Sequence, residues 1–256
     1  MDDTITWEVG GLRIKITMQK KDFTLPIAYK HAIQGTIYHM FPKTKEGEFF
    51  HDEGYRIENK VFKMFTFSDL KGKYSIVDRK IIFDEYTTLY IASLNEEFIR
   101  YIYDYLCRNS ILFINHQEVK VVSIDIEDLQ PFSGIQKKTI ITLSPVTAYK
   151  TENRYTTYYK PSDDEFENLV LENIKKKAEA YGYPLETLHF HVINVDYEKK
   201  QLIKFKNTLY EAYRIRMSVE ADYDTLSIIY NTGLSSKGSC GFGMIEVADE
   251  KDNLFV

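Results

Sequence analysis

The succession of predicted strands and helices restricts the fold of this chain more than any other feature, because the same order occurs twice in 256 residues. Apolar and polar residues alternate from Leu12 to Met18, which predicts a half-buried strand. A helix begins after Pro26, and its apolar stripe consists of Ile33, Ile37, Met40 and Phe41. The rest of the first half is predicted as strands at 61–68, 73–76, 81–83 and 89–92, a helix at 94–108 and a closing strand at 122–126.

The second half repeats this order after a polar linker at residues 128–137. Its predicted elements are a strand at 139–143, a hairpin around 155–159, a helix at 166–178, strands at 189–195 and 202–205 around a turn at 196–200, a long strand at 209–219, a helix at 222–232 and a last strand at 244–247. Strand, helix, strands, helix, strand is the ferredoxin-like split βαβ order. The sequence therefore predicts an α+β protein of two tandem ferredoxin-like (βαββαβ) domains, residues 1–127 and 128–256.

Composition and charge exclude several classes of function. The net charge is −5, which argues against a sequence-blind nucleic-acid binder but leaves room for a local basic surface. Cys107 and Cys240 are too few for a disulfide framework or a zinc site, so no metal or other cofactor is expected. Met1 to Gly10 is acidic and polar, unlike a signal peptide, and no apolar run is long enough to span a membrane. A cytoplasmic protein is expected.

A glycine-rich stretch, Gly233 to Gly243, stands near the C-terminus and contains four of the twelve glycines. Glycines spaced in this way can let backbone N–H groups converge on an anion. They can equally serve to turn the chain, because glycine spacing alone is a weak motif. One lysine, Lys237, lies inside the stretch.

Residues that could carry chemistry are few, since the nucleophile-elbow, P-loop and HExxH motifs are all missing from the sequence. His51 lies in the polar segment His-Asp-Glu-Gly, where an imidazole is free to act as an acid or base near neutral pH. Lys63 alternates with Phe62 and Met64, and is expected on the exposed face of a strand. By themselves, both residues are equally compatible with an ordinary solvated surface.

Three stretches together resemble the CRISPR repeat-processing endoribonucleases, a family of the repeat-associated RNA-binding superfamily. They are Leu25–Tyr38, with Ile33-Gln34-Gly35-Thr36-Ile37-Tyr38, then His51–Tyr55 followed by Lys63–Ser68, and the glycine-rich end Gly241-Phe242-Gly243-Met244. The resemblance covers nearly the whole chain in the same order. Ser235 replaces a glycine that usually opens the signature, so the local loop geometry is expected to differ.

The resemblance implies an enzyme that cuts precursor CRISPR RNA within the repeat without a metal. In such enzymes the 2′-hydroxyl attacks the adjacent phosphate and leaves a 2′,3′-cyclic phosphate and a 5′-hydroxyl. The reaction needs a base, an acid and a cation for the developing charge. The match assigns these roles to Tyr38, His51 and Lys63, with His39 and Lys60 as the reserve candidates.

The resemblance also implies a surface that holds the RNA. The predicted patch combines Arg214 and Arg216 on one strand face, the segment Lys199–Lys206 with Lys204, and the glycine-rich stretch with Gly233, Lys237, Gly238, Gly241 and Gly243. Two alternatives stay open: an RNA-binding subunit of the same superfamily that does not cut, and an unrelated regulatory module for a small ligand. The sequence does not decide whether the protein forms a homodimer or joins a CRISPR effector complex.

Overall fold

The computed structural model describes residues 12–57, 60–186 and 188–248. The expectation about Met1 to Gly10 lies outside these residues. Two separate antiparallel sheets, each with helices packed on it, account for most of the chain. Among the described residues, none of the helices has the length and apolar character that crossing a membrane requires.

The described residues of the first half form ten strands and three α-helices. They are β1 (Leu12–Gln19), β2 (Phe23–Pro26), α1 (Lys30–His39), α2 (Lys45–Glu48), β3 (Tyr55–Ile57), β4 (Lys60–Phe62), β5 (Phe65–Phe67), β6 (Tyr74–Val77), β7 (Lys80–Phe83), β8 (Tyr86–Ser93), α3 (Glu96–Arg108), β9 (Ile111–Ile114) and β10 (Gln117–Glu127). A short π-helix, Phe49–Glu53, follows α2. The main sheet has the strand order β5-β8-β1-β10-β9, and smaller sheets pair β2-β7-β6 and β3-β4.

In the second half, the residues that the structure describes form six strands and two α-helices. They are β11 (Gln136–Thr142), β12 (Tyr149–Glu152), β13 (Tyr155–Tyr158), α4 (Asp164–Tyr181), β14 (Phe190–Phe205), β15 (Thr208–Ala221), α5 (Tyr223–Thr232) and β16 (Ile245–Ala248). Its sheet has the order β14-β15-β11-β16. In both halves the first strand lies beside the last one, and the two strands between the helices complete the sheet. This is the split βαβ arrangement, so the predicted tandem ferredoxin-like fold is confirmed. The boundary at residues 127 and 128 stays a prediction.

Two predicted elements were wrong in ways that matter for function. The turn expected at Asp196–Lys200 does not exist, because β14 runs unbroken to Phe205 and pairs with β15 along its whole length. The strand expected at Val61–Ser68 is interrupted, because Met64 has a left-handed backbone (φ 50°) and divides β4 from β5. Lys63 therefore lies in a connection between strands and not on a strand face.

The two halves are joined by buried charged groups as well as apolar ones. Arg13 of β1 is completely buried, and its guanidinium lies 3.5 Å from the centre of the Tyr230 ring. The same guanidinium donates to the Ile245 carbonyl oxygen (2.6 Å) and forms an ion pair with Glu246 (3.0 Å). Burying an arginine is costly unless its charge is paired, and Glu246 provides that pairing here. The contacts fix β1 of the first half against α5 and β16 of the second.

Candidate active site

His51 lies in the π-helix Phe49–Glu53, where the sequence predicted only a polar loop. The amide of Gly54 closes this turn on the Phe49 carbonyl oxygen at 2.7 Å, and Gly54 has φ 71°, a conformation that suits glycine. Phe50 is buried between the rings of Phe41 and Phe98. Because Phe50 anchors the turn in the core, its neighbour His51 is presented to solvent with 53% of its side chain exposed.

Asp52 orients the His51 ring. The His51 Nδ1 and the Asp52 Oδ1 are 2.5 Å apart, so the carboxylate accepts the Nδ1–H and leaves Nε2 unbonded. A carboxylate in this position also stabilises the imidazolium that forms when Nε2 takes up a proton. The adjacency of His51 and Asp52 in His-Asp-Glu-Gly is the sequence signal for this role of Asp52.

Tyr38 is the second-to-last residue of α1 and contacts His51 directly. The two ring centroids are 4.6 Å apart with the planes at 67°, and the other side of Tyr38 meets Phe65 edge-on at 5.7 Å. Burial raises the pKa of the Tyr38 phenol above its ordinary value. Tyr38 therefore keeps its proton at neutral pH and serves as a hydrogen-bond donor.

Lys63 completes the cluster from the connection between β4 and β5. Its ammonium donates a 2.9 Å hydrogen bond to the backbone carbonyl oxygen of His51. Burial lowers the pKa of Lys63, and the Asp52 carboxylate acts against that shift. The structure thus brings together Tyr38, His51 and Lys63, the three residues predicted for the chemistry.

The rings of Tyr38 and His51 line an open pocket of about 530 Å³, here called the catalytic pocket. Its other lining residues are His31, Gln34, Gly35, His39 and Lys206. The reserve histidine, His39, is thus exposed in the same pocket as His51. The reserve lysine, Lys60, lies in β4 and lines a second cavity, so it does not accompany His51.

The second cavity is a groove of about 650 Å³ between the two halves. Its lining includes Lys63, the start of the β12–β13 hairpin, α4 and the glycine-rich loop. The groove's cationic lining residues are Lys60, Lys63, Lys150, Lys176, Lys177 and Lys237. Among the described residues, no three His, Cys, Asp or Glu side chains are grouped as a metal site requires.

The glycine-rich loop packs against the first half of the protein. A Cβ on Gly238 would overlap the Thr232 carbonyl oxygen, and a Cβ on Gly241 (φ 78°) would overlap the Phe67 ring of β5. Glycine at 241 therefore allows close approach between the halves, whereas glycine at 238 mainly allows the loop to pack against α5 of its own half. The α1 helix docks on the same loop, because Gln34 donates to the Ser239 carbonyl oxygen at 2.7 Å.

The loop's own amides are largely used within the protein. The N–H groups of Gly233, Gly241 and Gly243 donate to the carbonyl oxygens of Ile229, Gly238 and Pro145. These amides are not free to hold an anion. RNA contact by the loop stays a prediction that rests on Lys237, which is half-buried and lies beside Tyr149 and Tyr210.

The two arginines of the predicted RNA-binding patch lie on β15 as expected, but Arg214 is paired within the protein. Arg214 and Arg216 share one face of β15, on either side of the buried Ile215. Arg214 forms an ion pair with Asp69 of the first half, and the buried Lys30 pairs with the same carboxylate. Lys30 also donates to the Gly241 carbonyl oxygen at 2.8 Å. Asp69 thus joins two cations at the junction of the halves.

Lys204 and Lys177 have contrasting surroundings. Lys204 is exposed near the end of β14, as a phosphate contact requires. Lys177 of α4 is buried, with its ammonium on the carbonyl oxygens of Thr232, Gly233 and Ser235. The helical spacing of α4 does not indicate this burial, because the carbonyl oxygens that surround the Lys177 ammonium belong to residues 232–235 and not to α4.

The fold defines a class of proteins with two tandem ferredoxin-like halves. A solved structure described as CRISPR associated protein Cas6 has the same architecture. That structure aligns over 93% of this chain and 100% of its own, with a TM-score of 0.77 at 23% identity. Residues 128–247 match the family described as CRISPR associated protein Cas6, C-terminal.

Two curated relatives extend the match to the whole chain. CRISPR-associated endoribonuclease Cas6 1 of Methanocaldococcus jannaschii is 27% identical over 251 residues, which cover 94% of this chain and 95% of the relative. CRISPR-associated endoribonuclease Cas6 2 of the same organism is 28% identical over 258 residues, which cover 91% and 98%. The second half thus matches the Cas6 family model, and the chain is similar to Cas6 endoribonucleases along nearly its whole length.

Proposed function

We propose that this protein is an endoribonuclease that cuts CRISPR repeat RNA in the precursor transcript by attack of a 2′-hydroxyl on the adjacent phosphate. The observation that carries the proposal is that His51 lines the catalytic pocket and contacts both Tyr38 and Lys63. The relatives named as endoribonucleases support the reaction class. No metal is required, because the side chains supply the proton transfers and the positive charge themselves.

His51 is the general base of the proposed reaction. With Nδ1–H held by Asp52, the free Nε2 takes the proton of the 2′-hydroxyl as its oxygen bonds to phosphorus. The carboxylate of Asp52 then stabilises the imidazolium. The high exposure of His51 lets an RNA backbone approach it directly.

Tyr38 is the proton donor on the leaving side. Its raised pKa makes it unsuited to deprotonate the 2′-hydroxyl, but a departing 5′-alkoxide is basic enough to take the phenolic proton. The P–O5′ bond breaks as that oxygen is protonated, and the products are a 2′,3′-cyclic phosphate and a 5′-hydroxyl. One proton is taken up by His51 and one is released by Tyr38, so the step is balanced.

Lys63 holds the turn that carries His51, through the hydrogen bond from its ammonium to the His51 carbonyl oxygen. Because this ammonium is used in that bond and lies outside the catalytic pocket, Lys63 acts by positioning His51. The patch of Arg216, Lys204 and Lys237 holds the rest of the RNA backbone through charge, despite the net charge of −5.

The test is cleavage of labelled repeat RNA in EDTA by the wild type, His51→Ala and the control His191→Ala. His191 is 54% exposed and also pairs with a carboxylate, that of Glu167, but it lies on β14 outside the catalytic pocket. We expect His51→Ala to lose at least about a hundredfold in rate, the lower end of the range for a general base, and His191→Ala to cut normally. Cleavage that His51→Ala retains would refute the assignment.

The other outcomes separate the alternatives. RNA that the wild type binds but does not cut would favour a non-cleaving repeat-binding subunit. RNA that the wild type does not bind would favour the small-ligand module.

A substrate with sulfur in place of the leaving 5′ oxygen separates the two proton-transfer roles. A thiolate leaves without protonation, so this substrate should restore the rate of Tyr38→Phe and leave His51→Ala slow. Rescue of His51→Ala would instead make His51 the acid.

A further inference from the structure

The long β14–β15 hairpin of the second half ends at the catalytic pocket of the first. The two strands pair from Phe190 with Ala221 to Phe205 with Thr208, and the hairpin turns at Lys206 and Asn207. Lys206 has a left-handed backbone (φ 52°), as two-residue hairpin turns require. The predicted turn was at Asp196–Lys200. The observed turn comes later in the chain, so the hairpin is longer than predicted.

The tip of the hairpin is anchored and not free in solvent. Phe205 is 6% exposed and packs with Phe242 and Ala212. Its ring also meets the His31 ring of α1 edge-on, with centroids 5.8 Å apart. An anchored residue next to the turn fixes where the following side chain, Lys206, is presented.

Lys206 contributes the only lysine or arginine side chain that lines the catalytic pocket in the described part of the chain. Lys63 does not line this pocket, and its ammonium is bonded to the His51 backbone. Lys206 is exposed, and its charge acts on the Cys240 thiol, which in turn is close enough to influence Tyr38. The positive charge that faces a phosphate in the pocket thus comes from the second half.

We infer that Lys206 binds the scissile phosphate in the catalytic pocket and stabilises the charge that develops on its oxygens. The inference rests on the proposed function and adds to it a catalytic residue that the second half supplies to a site built on the first. The hairpin is then part of the active site as well as of the RNA-holding surface. Docking of the second half on α1 becomes a condition for cleavage.

The test compares Lys206→Ala, Lys206→Arg and the control Lys80→Ala in single-turnover cleavage at saturating enzyme. Lys80 is also an exposed lysine beside a hairpin turn, but it lies in the β2-β7-β6 sheet and lines neither cavity. A preorganised donor to a developing negative charge contributes about 100-fold or more. We expect Lys206→Ala to lower the saturated rate by at least about tenfold, which is less than that range because Lys206 is exposed and solvent weakens its interaction with the phosphate.

Two further readouts identify the role. The Kd for repeat RNA with a 2′-deoxy group at the scissile nucleotide should change less than the rate does, because Lys206 acts most strongly in the transition state. Lys206→Arg should retain most of the rate, since a guanidinium also binds phosphate. A saturated rate for Lys206→Ala equal to that of Lys80→Ala would overturn the inference while wild-type cleavage upholds the proposed function. A wild type that cuts no repeat RNA would overturn both.

Discussion

Lys177 offers a sharp test of how the glycine-rich loop is held. Its side chain is 4% exposed, and its ammonium reaches the carbonyl oxygens of Thr232 (3.3 Å), Gly233 (2.6 Å) and Ser235 (3.1 Å). None of these partners carries a charge. Burial therefore lowers the pKa of Lys177 from 10.5 to about 7.

The size of the effect follows from linkage between protonation and folding. Between pH 7 and 10.5 the unfolded chain binds a proton at Lys177 that the folded protein does not, so the free energy of unfolding rises with pH in this range. The slope approaches about 1.4 kcal/mol per pH unit. Because Lys177 is half-protonated in the folded state near pH 7, the rise between pH 7 and pH 9 amounts to about 2 kcal/mol.

Urea unfolding of the wild type and of Lys177→Met at pH 7 and pH 9 measures this contribution. Other titrating groups are common to both proteins, so the difference between the two free energies isolates Lys177. The destabilisation caused by Lys177→Met should be about 2 kcal/mol larger at pH 9 than at pH 7. The neighbouring Lys176→Met is the control, because Lys176 is partly exposed and pairs with Glu172, and its effect should not depend on pH in this range.

Equal destabilisation by Lys177→Met at the two pH values would refute the reasoning. It would mean that Lys177 stays charged in the folded protein, with the three carbonyl oxygens compensating for its burial.

Two more predictions concern the junction between the halves. Gly238→Ala should destabilise the protein by about 1–3 kcal/mol, because its Cβ would overlap the Thr232 carbonyl oxygen. Gly35→Ala, on the open face of α1, should stabilise the protein by about 0.5–1 kcal/mol. Thermal unfolding measures both changes, and equal effects would contradict the packing role of the loop. Asp69→Asn should lower the free energy of unfolding by about 3 kcal/mol, because it leaves the buried Lys30 unpaired, and a loss below about 1 kcal/mol would show that the pair does not hold the halves together.

The fold was predictable because most of its elements carry their own periodicity. The apolar residues of β1 and the stripes of α1 and α4 lie on the sides that face the core, although Arg13 of β1 is buried as well and α5 is buried on all sides. The outer part of the β14–β15 hairpin was not predictable in this way. Most β14 residues beyond Phe190 are exposed or half-buried on both faces, so no alternation marks the strand, and the polar run at Asp196–Lys200 is typical of a turn.

The candidate site was predictable only where its residues lie in stretches that resemble a known family. Tyr38, His51 and Lys63 are of this kind. The π-helix under His51 has no pattern of its own, because it depends on Phe50 finding the core. Lys206 is more than 150 positions away from His51 in the chain, and only the docking of the hairpin tip on α1 brings it to the pocket.

The most direct test of the central claim is cleavage, in EDTA, of repeat RNA with either an intact or a 2′-deoxy group at the scissile nucleotide. The wild type should bind both RNAs equally well, cut only the intact one, and leave a 2′,3′-cyclic phosphate and a 5′-hydroxyl. Cleavage of the 2′-deoxy RNA, or a product with a 3′-hydroxyl, would contradict a mechanism in which His51 activates the 2′-hydroxyl.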